Sequence, residues 1–311
     1  MVSKHSSTPP ADARISEWCL EYLGSRPVET LFRSSHLSTV IGFRLADQRQ
    51  VVVKVRPDEP RLRECFRIHR YVWESGFPCP EPLAGPGPLG RAIVTAEAFV
   101  LRTAPDSMPE RFATAAAELL ARQVRQCTNI AIETTLEPTP AWVGWDNTGR
   151  ERWPPPDDVD ADLNELAGPE WLDSVADAIS PLLKACRLPR VIGHVDWYPE
   201  NFSWDAAGIK AVYDWDSLAL LPEAAIAGGA SVLYLAHRGH IPTVGEGEAF
   251  IDAYAAARGR AWTSEETRIA RAAGLWNLAF DAKKQTVDGI GRGLSQLEES
   301  WRERLRLVAT S

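Results

Sequence analysis

The segment VIGHVDWYPENFSWDAAGIKAVYDWDS, residues 191–217, limits the possible folds of this chain more than any other stretch. Its polar residues are spaced His194-x-Asp196-x₄-Asn201, and Asp214 follows after twelve more residues. Phe202–Trp204 and Ile209–Tyr213 are short apolar runs separated by Asp205, Ala206, Ala207 and Gly208, so they read as two strands joined by a turn. A hairpin folded there brings its two ends, Asn201 and Asp214, to the same point. An amide oxygen and a carboxylate gathered in this way are hard ligands suited to magnesium. Asp196, in the tight connection before the hairpin, is placed to face the same pocket, and no protein cation is evident to balance these groups. As caps and turn residues each would be ordinary; together they would leave strands ending in an uncompensated acidic pocket.

The flanking sequence supplies a layout. Residues 11–24 have helical apolar spacing, with Ile15, Trp18, Cys19 and Leu23 on one side. Residues 31–45 and 50–55 read as strands around a polar turn, and QVVVKV is β-branched almost throughout. A helix is expected over 60–76, opened by Pro60 and stopped by Gly76 and Pro78. A Pro/Gly-rich connection over 78–90 leads to a strand over 92–100. Residues 30–102 thus read β-β-α-β, a small mixed lobe. Helices follow over 107–131, 170–186 and from 224 to the end, with a strand over 190–193. The expected division is a lobe over residues 1–100 and a mainly helical lobe over 101–311. Residues 136–170 stand apart as a loop-rich insertion holding Trp142, Trp145, Trp153 and the aspartates 157, 158, 160 and 162. This insertion reads equally as an aromatic and acidic cradle for a cationic substrate or as a solvated loop with its tryptophans docked on the core.

Composition excludes some partners. With 34 basic and 42 acidic residues the chain has a net charge of −8, which disfavours binding to phosphate backbones, so no nucleic-acid partner is expected. The surplus acidity suits plain solubility or attraction of a cationic acceptor. The longest apolar stretch, residues 224–236, is too short and too Gly-interrupted to span a bilayer, so no membrane partner is expected either. Five scattered cysteines without a C-x-x-C pair suggest reduced thiols and a cytoplasmic protein. His237 and His240 lack a third ligand and read as a surface pair. Oligomeric state is not legible.

Phosphoryl transfer needs metal to neutralise phosphates and a carboxylate to orient the attacking hydroxyl, and the Asp196–Asn201 interval equals that of the protein-kinase catalytic loop. H-V-D-W-Y-P-E-N followed by Y-D-W-D resembles the aminoglycoside phosphotransferase/choline kinase family, whose usual pattern is H-G-D-x-x-x-x-N and I-D-W-[DE]. The resemblance is specific over 191–217, looser over 30–130 and weak elsewhere. It implies an α+β, bilobal protein-kinase-like fold with a small mixed β-sheet N-lobe and a mainly helical C-lobe. It also implies a kinase moving the γ-phosphoryl of ATP, or of GTP, with Mg²⁺ onto a hydroxyl of a small molecule such as an aminoglycoside-like antibiotic, a sugar or an amino alcohol.

The family's site residues map onto this sequence as expectations. Asp196 is the catalytic aspartate, Asn201 and Asp214 are the magnesium ligands, and His194 is a scaffold residue. Lys54 matches the strand lysine that contacts nucleotide phosphates, and Glu64 on the next helix is its expected carboxylate partner. Ser34, Ser35 and His36 begin a Ser-rich turn that could cap phosphates. Backbone groups of Thr95, Ala96, Glu97 and Ala98 would hold the adenine, by position in the lobe order. Val195 and Glu200 stand where glycines are usual, and the family's G-D-P-x-x-D-L segment is replaced by SLALLPEAAIAGGA. Two other readings compete with the kinase. A non-catalytic nucleotide-binding relative would not need all of Lys54, Asp196, Asn201 and Asp214, and a metal-dependent hydrolase lacks a second histidine at ligand spacing.

Overall fold

The computed structural model describes residues 10–35, 38–103, 111–145, 151–236, 240–288 and 292–310. Helix α1 (Pro10–Leu23) leads into a five-stranded antiparallel sheet of β1 (Pro27–Ser35), β2 (Thr39–Leu45), β3 (Gln50–Pro57), β4 (Pro82–Leu89) and β5 (Ala92–Ala98). The spatial order is β1-β2-β3-β5-β4, with helix α2 (Pro60–Glu74) between β3 and β4 in the chain. Alternation sorts this sheet into two faces. Ile41, Phe43, Val51, Val53, Val94 and Ala96 pack under Ile15, Trp18, Cys19 and Leu23 of α1. The register places Val40, Gly42, Val52, Lys54, Thr95 and Glu97 together on the opposite face.

The remainder is mainly helical. It comprises α3 (Phe112–Cys127), α4 (Glu170–Ala185), the strand pairs β6 (Arg190–His194) with β9 (Leu218–Pro222) and β7 (Phe202–Asp205) with β8 (Gly208–Val212), then α5 (Glu223–Leu233), α6 (Val244–Arg258), α7 (Ser264–Asp288) and α8 (Arg292–Ala309). Every residue of α5 is buried. Helix α2 contributes Cys65, Ile68 and Val72 to the same core as α3 to α7, so it docks on the helical part while its chain neighbours belong to the sheet. Among the described residues no helix is long and apolar enough to cross a membrane.

The mixed α+β, protein-kinase-like architecture is the one expected. Three strands were not, the first arising because the expected run over 31–45 divides into β1 and β2. Pro82–Leu89 lies within the expected connection, yet pairs with β5 as an edge strand, where prolines are tolerated because only one side of the ladder needs N–H donors. Leu218–Pro222 pairs with β6 and turns directly into α5. The expected β-β-α-β order becomes β-β-β-α-β-β.

Candidate active site

The loop that ends β6 is built around His194, whose side chain is fully buried. Its Nε2 is 3.0 Å from the Tyr213 carbonyl, and its Nδ1 is 3.3 Å from the Asp196 amide. Nδ1 therefore accepts from the amide, Nε2–H donates to the carbonyl, and the ring is neutral. Burial also pushes its pKa down. The indoles of Trp197 and Trp215 meet this ring edge-on, at 5.4 and 5.7 Å between centroids. Val195, in the place of the usual glycine, is buried, and its N–H donates to the Ser217 carbonyl (2.9 Å). The imidazole thus ties the start of the loop to the far end of the hairpin.

A single 3₁₀ turn, Pro199–Asn201, brings Asn201 back towards Asp196. Asn201 Nδ2 donates to Asp196 Oδ2 (2.7 Å) and to the Asp196 carbonyl (2.9 Å). The Tyr213 amide donates to the Asn201 carbonyl (2.8 Å), which closes the β7–β8 hairpin at the residue before Asp214. Asp214 adopts φ 59°, the left-handed region that side chains other than glycine seldom enter. With its nitrogen committed to Asp196, the Asn201 amide presents its oxygen, and the only protein donor to the Asp214 carboxylate among the described residues is the Ser217 hydroxyl at 3.5 Å. This oxygen-only set fits a hard divalent cation. Burial, and next the Asp214 charge, lift the Asp196 pKa to about 7. At Asp214 burial acts upward too, but the charges of Lys54 and Arg56 outweigh it and the pKa falls.

Those two cations correct the expectation of an acidic pocket without a balancing charge. Lys54 and Arg56, each 9% exposed, lie two residues apart on β3. Arg56 forms an ion pair with Asp216 that joins the sheet to the segment after the hairpin. Strand alternation from Lys54 points directly to Arg56, a signal the sequence reading left unused.

The expected Lys54–Glu64 pair is a second correction. Lys54 Nζ meets Glu97 Oε2 at 3.2 Å, because the register sets Glu97 diagonally across from it on β5. Glu64 instead binds Arg67 (2.6 Å) and the Glu133 amide (3.1 Å), which ties α2 to the segment after α3. Thr95, Ala96, Glu97 and Ala98 all pair with β3, Ala96 and Glu97 pair with β4 as well, and the Ala98 amide donates to the Glu81 carbonyl, so much of their backbone is engaged within the sheet. The first uncommitted N–H groups come next in the chain. Among the described residues none accepts from the amides of residues 100–102, where the chain crosses to the helical part. Ser34 and Ser35 are not turn residues but pair with Val40 and Thr39 as the end of β1. His36 lies outside the described residues, as does His237.

On the far side of the loop the Tyr198 hydroxyl donates to Asp281 (2.5 Å) on α7. Lys284 bridges Asp158 (2.7 Å) and Asp281 (3.6 Å). Asp281 carried no local sequence signal, since a carboxylate on a long helix is usually solvated. The tryptophans of the insertion do not form an open aromatic cradle. Trp145 and Trp153 are buried, Trp153 against Trp276 and Phe280, and the Trp142 indole donates to the Val195 carbonyl.

Comparison with known proteins agrees with this architecture. The model of the APH phosphotransferase enzyme family matches residues 32–266. Among solved structures, a spectinomycin phosphotransferase in complex with ADP and spectinomycin covers 96% of this chain and 97% of its own, at 14% identity and a TM-score of 0.57. An amicoumacin kinase in complex with AMP-PNP and Ca²⁺ covers 97% and 96%, at 12% identity and a TM-score of 0.66. An ethanolamine kinase from Plasmodium vivax covers 99% and 93%, at 12% identity and a TM-score of 0.58. Identities this low speak for the fold alone. No curated protein matches the sequence. The family match extends over most of the chain and includes the loop and hairpin just described: the chain belongs to the APH phosphotransferase enzyme family and is a small-molecule phosphotransferase.

Proposed function

We propose that this enzyme moves the γ-phosphoryl of ATP, or of GTP, onto a hydroxyl of a small cationic molecule, with Asp196 as the base. The observation that carries this reading is the Asp196 carboxylate itself. It is held by the Asn201 amide and opens partly to solvent, and burial beside the Asp214 charge raises its pKa towards neutrality, which suits a general base. Asn201 and Asp214 would hold magnesium, whose chemistry when bound is to neutralise charge on the phosphates. Lys54, kept charged by Glu97, would contact the phosphates from the sheet. Phe32 lies over Gly42 on the same sheet face and meets Phe99 at 6.1 Å, so these rings would cover the base while the amides of residues 100–102 address its edge. We assign residues 1–100 to nucleotide binding and 101–311 to catalysis and the acceptor.

In the step itself the acceptor O–H gives its proton to Asp196 as its oxygen bonds to the γ-phosphorus. The bond from that phosphorus to the β-phosphate oxygen breaks, and the nucleoside diphosphate leaves. A cationic acceptor is favoured by the acidic surplus beside α7, where Asp157, Asp158 and Asp281 surround Lys284. The test is Asp196→Asn, which keeps size and one oxygen but not the charge. We expect kcat to fall about 10²–10⁴-fold with nucleotide affinity retained. Turnover near the wild-type rate would remove Asp196 from this role. A radiolabelled-nucleotide screen across aminoglycosides, amino alcohols and neutral sugars identifies the acceptor class.

A further inference from the structure

Arg56 has no part in the roles assigned above, yet it forms the ion pair that links the nucleotide-facing sheet to the segment carrying Asp214. It is almost wholly buried, with a weak second contact to the Thr95 hydroxyl at 3.5 Å. Its partner, Asp216, lies two residues beyond Asp214, in a turn closed by the Ser217 amide donating to the Asp214 carbonyl (3.1 Å). Two side chains of α2 hold the same turn. The Cys65 thiol donates to the Asp216 carbonyl (3.6 Å), and Arg61 donates to the Leu218 carbonyl (3.0 Å). From the opposite side the Val195 amide donates to the Ser217 carbonyl.

Such fastening has a physical reason. A non-glycine residue in the left-handed region is disfavoured by roughly 1–2 kcal/mol and persists only when its surroundings enforce it. Asp214 sits at φ 59°. Because Glu64 is engaged with Arg67 and Glu133, no lysine–glutamate pair couples α2 to β3. The contacts of Arg56, Arg61 and Cys65 to residues 216–218 occupy the place of that coupling. We propose that Arg56 is a positioning residue whose ion pair with Asp216 holds Asp214 in its ligand-ready conformation and keeps the metal loop in register with Lys54. Asp216 on this view is not a metal ligand, because its charge is already met by a buried guanidinium.

The proposal rests on Asn201 and Asp214 holding the metal, and its test separates the two ideas. The variants are Arg56→Gln, Arg56→Lys, Asp216→Asn and the double Arg56→Gln/Asp216→Asn, which leaves neither charge buried alone and so guards against loss of fold. Calorimetry measures binding of AMP-PNP with Mg²⁺ and with EDTA, alongside thermal midpoints, kcat and the half-saturating Mg²⁺. Loss of an outer-shell partner typically lowers metal affinity or activity by about 10–100-fold, and that loss is expected for Arg56→Gln, Asp216→Asn and the double alike. The double should be no worse than the worse single, since the pair acts as one unit. Arg56→Lys should recover part of the loss, and binding in EDTA should barely change.

A fall in thermal midpoint with unchanged Mg²⁺ dependence would reduce Arg56 to a structural role and overturn the proposal. Weaker metal binding in Asp216→Asn but equal or tighter binding in Arg56→Gln would make Asp216 a ligand and also overturn it. Wild-type protein showing no Mg²⁺-dependent binding of AMP-PNP would instead refute the metal site, and the positioning role with it.

Discussion

Asp281 is a carboxylate whose surroundings oppose its charge. It accepts from the Tyr198 hydroxyl and faces Lys284, with Asp158 beyond, yet burial is the largest influence and raises its pKa. Between the ordinary carboxylate range and the raised value, the folded state keeps a proton that the unfolded chain has already released. The contribution of Asp281 to stability is complete below the ordinary carboxylate range and is lost as pH rises through the raised value. Asp281→Asn keeps an oxygen for Tyr198 and removes that loss. Melting curves in EDTA between about pH 4 and pH 8 should show the variant gaining on wild type as pH rises, and parallel curves would contradict this reading. Residues of this kind were not legible in the sequence, because Asp281 meets Tyr198 only through the docking of α7. His194, Asp196, Asn201 and Asp214 were legible because their mutual contacts close within one hairpin. The true partner of Lys54 was hidden for the same reason as Asp281: it depends on β5 lying next to β3, which no local pattern encodes.

Helices α5 and α7 show what the unusual sequence after the metal motif does. In AIAGGA the side chain is dispensed with where the two backbones meet. A Cβ on Gly228 would lie 2.0 Å from the Ala270 carbonyl oxygen, and one on Gly274 would lie 2.8 Å from the Gly228 oxygen. Backbone cannot rotate aside as a flexible side chain can, so Gly228→Ala must push the helices apart. The expected loss is about 1–3 kcal/mol, the range for overpacking a well-filled core, read as a lower denaturant midpoint at unchanged slope. Gly245→Ala, in open space at the start of α6, is the control and should not lose stability. Equal midpoints for both would show that α5 and α7 are not closely packed at Gly228. Helices α1, α2 and α3 were readable from their apolar spacing, whereas α5 to α8 were readable only as one helical stretch from residue 224 onward. The short strand β9 was not, since a five-residue buried run that continues into a buried helix has no periodicity of its own.

Across the whole molecule, charge is divided by the catalytic loop. On the sheet side Lys54 and Arg56 are paired with Glu97 and Asp216, while on the α7 side three carboxylates, Asp157, Asp158 and Asp281, surround Lys284, in a chain whose net charge is −8. The insertion takes part in this division because it is anchored rather than free. Lys283 donates to the Leu166 carbonyl (3.1 Å), Lys284 holds Asp158, and Trp153 is buried against α7. A polycationic acceptor should therefore be drawn to the α7 side by a field that salt weakens, since the screening length shrinks to about 10 Å at 0.1 M ionic strength. For such an acceptor kcat/KM should fall steadily as ionic strength rises from about 0.01 to 0.3 M, through KM more than kcat. A neutral sugar or amino-free analogue, if turned over, should show no such slope, and it serves as the control for effects of salt on the nucleotide. Asp158→Asn should flatten the slope for the cationic acceptor and leave the neutral one alone. Identical salt profiles for charged and neutral acceptors would mean that the carboxylates beside α7 do not take part in recognition, and that the acidity of the chain serves its solubility alone.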